Sequence, residues 1–164
     1  LFLAQRDQRI RLSVRVALSV YLDSCGGSGH GNRFITVKIT NNGARAATIL
    51  PVGWRIGYTI FKHFKFLRLE PMEFVWEHYG GTQLPSKLAD GDFALLTFPL
   101  EKFAGAIINS MPERALFPWP HLRFRTMQVI VPTTTGKTIY ATVTSEVRKE
   151  LVRRANAKVS QETV

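Results

Sequence analysis

From Ile10 to Leu22 apolar residues occupy every second position (Ile10, Leu12, Val14, Val16, Leu18, Val20 and Leu22), with Arg9, Arg11, Ser13, Arg15, Ala17, Ser19 and Tyr21 between them. A period of two places one set of side chains on one side of an extended chain, so the run predicts a long strand with a buried face. It also sets the arginines on the opposite, wet side.

The rest of the chain supports the same class. Cys25 to Asn32 is glycine-rich and reads as a loop. A second strand is expected at Arg33 to Thr40, with Ile35, Val37 and Ile39 inward, ending at Asn41-Asn42-Gly43 as a tight hairpin turn. A third should begin near Ala46 and run to Leu50, interrupted by Pro51 and resuming at Trp54 to Ile56. Residues 57–83 hold many aromatics and no sustained period; short strands are expected around 58–61, 65–69 and 73–77.

Residues 84–92 read as a connector ending in an Asp90-Gly91 turn, followed by a strand at Phe93 to Phe98. Pro99 then fits the first position of a helix whose apolar stripe is Leu100, Phe103, Ala104, Ile107, Ile108 and Met111, stopped by Pro112. A strand at Leu122 to Val131 is expected, with a parity shift between Phe124 and Met127 read as a bulge. Thr133 to Gly136 should turn into a last strand at Thr138 to Val143. Thr144 or Ser145 caps a closing basic helix with a thin apolar seam of Val147, Leu151 and Ala155, expected to dock weakly or extend into solvent.

Strands therefore dominate and the two helices do not alternate with them, which favours a mainly β, antiparallel sandwich with one inserted amphipathic helix and a C-terminal helix. The expected organisation is a juxtamembrane or chain-end segment at 1–8, the sandwich at 9–143, and a basic helix and tail at 144–164. Phe34 to Gly43 with Ala47-Thr48-Ile49, then Leu84-Pro85, Leu88 and Asp90-Gly91-Asp92, then Gly136 to Tyr140, together resemble small immunoglobulin-like domains of uncharacterised bacterial and prophage proteins, often tethered behind a short N-terminal membrane segment. The resemblance implies an immunoglobulin-like fold and transfers no catalytic residue.

Charge narrows the partners. The chain carries 22 lysines and arginines against 12 aspartates and glutamates, a net +10, a field that attracts acidic proteins, anionic lipid or nucleic acid. Cys25 is the only cysteine, so no intrachain disulfide forms and a reducing, cytoplasmic setting is expected. Leu1 to Ala4 followed by arginines reads either as an arbitrary chain boundary or as the end of an apolar segment, and the second would set the domain at the inner face of the cytoplasmic membrane.

Candidate chemistry is thin. Gly136-Lys137-Thr138 copies the end of a phosphate-binding loop, but Val131 stands where its first glycine belongs and a strand follows, so a turn is the expected structure. Cys25, His30, His63, His78 and His121 lack the paired spacing of zinc ligands. Asp90 and Asp92 read as turn residues, and Glu70, Glu73 and Glu77 have no partner that marks one as a tuned acid.

The expectation is a non-enzymatic module that uses no cofactor or metal and binds another protein, with an anionic membrane surface as a further partner. The alternative is nucleic-acid binding, with anion contacts from Arg55, Lys62, Lys65 and Arg68 in the aromatic segment and Arg148, Lys149, Arg153 and Arg154 on the closing helix.

Overall fold

A computed structural model describes residues 10–21, 32–56, 72–75, 80–110 and 124–162. The alternating run forms β1 (Leu12–Tyr21), paired antiparallel along its whole length with β2 (Asn32–Asn41), from Leu12 opposite Asn41 to Tyr21 opposite Asn32. Val16 is buried while Leu12, Val14 and Leu18 pack partly covered against the core. Alternation outlasts burial at the strand's end, where Val20 is 53% exposed; Leu22 lies outside the described residues.

β2 does not fold back on its successor. After Asn41 the chain runs through β3 (Ala47–Ile49) and β4 (Gly53–Ile56), and β2's second neighbour is β8 (Phe93–Pro99). The hairpin expected at Asn41-Asn42-Gly43 is thus not formed, because Asn41 is spent differently. Its buried side chain accepts from Gly43 N at 3.0 Å and donates to the carbonyls of Arg45 at 2.8 Å and Leu88 at 3.1 Å. The amide satisfies two backbone groups of its own loop and one of the crossing segment at Leu88, the side-chain-to-backbone bonding that asparagine offers in competition with a regular turn.

Two four-stranded antiparallel sheets result. The first has the order β1-β2-β8-β6, where β6 is Gly80–Gly81; the second has the order β10-β9-β4-β5, from β5 (Met72–Val75), β9 (Gln128–Pro132) and β10 (Thr138–Thr142). A small third sheet pairs β3 with β7 (Ser86–Leu88) and is joined to the end of β9 by Leu50 N to Pro132 O and Thr134 N to Thr48 O. The strand expected at 73–77 corresponds to β5; those at 58–61 and 65–69 lie outside the described residues. The glycine pair β6 was not anticipated. Gly81 has φ +106° and a Cβ there would sit 1.9 Å from Leu95 O, so only glycine lets this strand reach β8.

Pro99 closes β8, and α1 (Leu100–Ser110) starts one residue later. Leu100, Phe103, Ala104, Ile107 and Ile108 are all buried, as the stripe requires. Between Phe124 and Met127 the chain makes a helical turn, with Met127 N bonded to Phe124 O, rather than the expected bulged strand. The parity shift is therefore an i, i+3 step: both side chains reach the same core from one turn.

The closing helix α2 (Ser145–Glu162) is docked, not loosely attached: Val147, Leu151 and Ala155 are fully buried. α2 packs beside β1 and α1. Inward residues of both large sheets and of both helices form one hydrophobic core, centred on Trp54, whose ring lies edge-on to Phe98 at 5.3 Å and tilted on Phe103 at 4.6 Å. The described chain is mainly β, built of antiparallel sheets with two helices.

Candidate functional site

The cations of α2 are largely engaged internally. Glu150, with a side chain 9% exposed, accepts from Arg153 at 2.7 and 2.9 Å and from Arg154 at 3.0 Å, and pairs with Arg33 of β2 at 3.5 Å. Arg154 then reaches across to α1, gripping both oxygens of Glu101 at 2.5 and 2.6 Å. The arginine fork suits this bidentate grip. Hydrogen bonds from Arg153, with Arg154 assisting, hold the Glu150 carboxyl down at about 2 although burial opposes it. Arg154 likewise lowers Glu101. The cluster is a latch that ties α2 to α1 and β2.

Of the eight residues expected to contact an anion, Arg153 and Arg154 thus serve the fold. Arg148 donates to the carbonyls of Thr144 and Arg125, and Lys149 is exposed. Arg55 is half-buried on β4, its guanidinium carbon 6.0 Å from the Tyr140 ring centroid. Lys62, Lys65 and Arg68 lie outside the described residues. Arg55 stands on β4 and the α2 cations on the closing helix, so the described members of the expected set come from two separate elements.

The loop readings resolve as geometry. Gly136, at φ +77°, completes the turn between β9 and β10, with Gly136 N bonded to Thr133 O and Thr133 Oγ1 to Lys137 O. β10 follows it, so this is a hairpin. Gly91 is also at φ +77°, and Asp92 Oδ2 accepts from Ala89 N at 2.9 Å, which makes Asp90 to Asp92 a turn. Cys25, His30, His63, His78 and His121 lie outside the described residues, as does Glu70; Glu73 sits on β5, opposite Arg55 in register. Among the described residues no group of three or more His, Cys, Asp or Glu is placed to hold a metal ion. No helix among them is long and apolar enough to cross a membrane.

A different surface does collect charge: the outward face of the first sheet. The register puts Ser13, Thr40 and Phe93 in one row across β1, β2 and β8, and Arg15, Lys38 and Leu95 in the next. Arg11 precedes them on the same side of the β1 chain. Arg11, Arg15 and Lys38 are exposed, and Phe93 is 54% exposed with Lys38 Nζ 4.5 Å from its ring centroid. None of the residues that β1, β2 and β8 present on this face is acidic. Farther along it, Thr36 Oγ1 donates to Ser19 Oγ at 2.8 Å.

The β1 arginines were legible in sequence as the polar half of the alternation. Lys38 and Phe93 join them only when β2 and β8 pair. Comparison with protein-family models, curated proteins and solved structures finds nothing that matches this chain.

Proposed function

We propose that this chain is a non-enzymatic binding or assembly module, an immunoglobulin-like sandwich that engages an anionic macromolecule through the outward face of its first sheet. Two antiparallel sheets around one core support the sandwich reading. The observation that carries the function is the exposed Arg11, Arg15 and Lys38 on the same face as Phe93, a face whose described strand residues include no carboxylate. Such a face raises the local concentration of anions and steers them to it. The carboxylates held below their ordinary range, Glu101 and Glu150, are both held by the arginines of the latch.

Immobilised heparin, a generic polyanion, tests the face. The double variant Arg15→Glu, Lys38→Glu should elute at clearly lower salt than the parent. Reversing two exposed lysines elsewhere, Lys87 and Lys137, changes net charge equally and should shift elution less. Equal shifts for the two pairs would reduce the binding to net charge and remove the face. The expected placement at the inner face of the cytoplasmic membrane rests on the arginines near the start of the chain, and fractionation of expressing cells checks it.

A further inference from the structure

We propose that the anion taken by this face is single-stranded nucleic acid, with a base stacked on Phe93 and its flanking phosphates on Lys38 and Arg15. The inference rests on the binding face just proposed and specifies its partner.

Three features carry it. The first is the aromatic ring. Among the residues whose side chains are described, the large apolar ones left exposed are Val20, Phe93 and Tyr140, and of these three Phe93 stands on this face. A protein partner would be met by a contiguous apolar centre with a polar rim. Here a single ring is surrounded by Ser13, Thr40, Lys38 and Arg15, with Leu95 half-covered in the next row. One open aromatic surface among cations and hydroxyls is the composition of a stacking platform, since every base has a π-face and every linkage a phosphate.

The second feature is the register. Arg15 and Lys38 stand directly opposite each other on β1 and β2, and like charges so placed are unfavourable to a sheet. A phosphate between them turns that repulsion into two attractions. The third is shape. The face is a run of paired strands that a flexible strand can follow, whereas the bases of a duplex are already stacked on each other and closed to Phe93.

Fluorescence anisotropy at low salt, with a labelled short oligothymidylate, an abasic strand of equal length and polyglutamate as competitor, separates this proposal from the one it rests on. The parent should bind oligothymidylate more tightly than the abasic strand. Phe93→Ala should weaken oligothymidylate binding roughly tenfold, the scale of losing one stacked base, and leave the abasic strand unaffected. Lys38→Gln should weaken both and lower the dependence of log affinity on log salt by about one. Phe93 is exposed, so its alanine variant should keep the parent's circular dichroism.

Equal affinity of parent and Phe93→Ala for oligothymidylate, or of the parent for thymidylate and abasic strands, would overturn the stacking while the anionic face stands. Displacement by polyglutamate at equal charge would transfer the face to an acidic protein. Failure of every strand and of heparin to bind would remove the face itself.

Discussion

Asn41 shows how one buried amide can override a turn signal. In Asn-Asn-Gly the glycine offers positive φ, yet Gly43 does not use it; among the described residues Gly81, Gly91 and Gly136 do. Instead Asn41 satisfies Gly43 N, Arg45 O and Leu88 O, and thereby fixes where the connector returns. Asn41→Ala would leave these groups without that partner in a covered site, so a loss of about 2–3 kcal/mol is expected, read as a lowered urea midpoint at unchanged slope. Trp54 has the opposite difficulty: its indole Nε1 is buried with no hydrogen-bond partner among the described residues, so its place at the centre is held by packing.

At the scale of elements, α2 is held by an apolar seam and by the Glu150 latch, and the latch gives the helix a pH dependence. The Glu150 carboxyl lies lower in the folded chain than in the unfolded one, so the folded state binds fewer protons at acidic pH. Its stabilisation is complete above the ordinary carboxylate value near 4.5 and is lost as pH falls through about 2. Glu150→Gln should therefore lower stability at neutral pH and flatten the decline across that acidic window. Thermal melts of parent and variant at several pH values check both parts; a variant whose acid decline parallels the parent's would deny Glu150 that role.

For the whole molecule, one core joins two sheets and two helices, so the described elements should melt together. Leu151 of α2 and Phe98 of β8 are both fully buried within it. Leu151→Ala is expected to cost about 2–5 kcal/mol and Phe98→Ala about 3–5 kcal/mol. In each variant the near- and far-ultraviolet dichroism should fall at one shared, lowered temperature. A separate early transition in Leu151→Ala alone would show that α2 is an independent unit.

Much of this architecture was legible in local pattern, because burial on one side of an element imposes its period on the chain. Alternation found β1 and β2, the turn at Thr133 to Gly136 marked the start of β10, the spacing from Leu100 to Ile108 found α1, and Asp-Gly and Gly-Lys marked two real turns. What period cannot carry is pairing, since strands of like pattern are interchangeable until the backbone and buried polar groups choose among them. Only tertiary structure set β2 between β1 and β8, turned Asn-Gly into a staple and buried the thin seam of α2. It also divided the basic residues: Arg153 and Arg154 of α2 were drawn to Glu150 and Glu101, while Arg15, Lys38 and Phe93, far apart in the chain, came together on one open face.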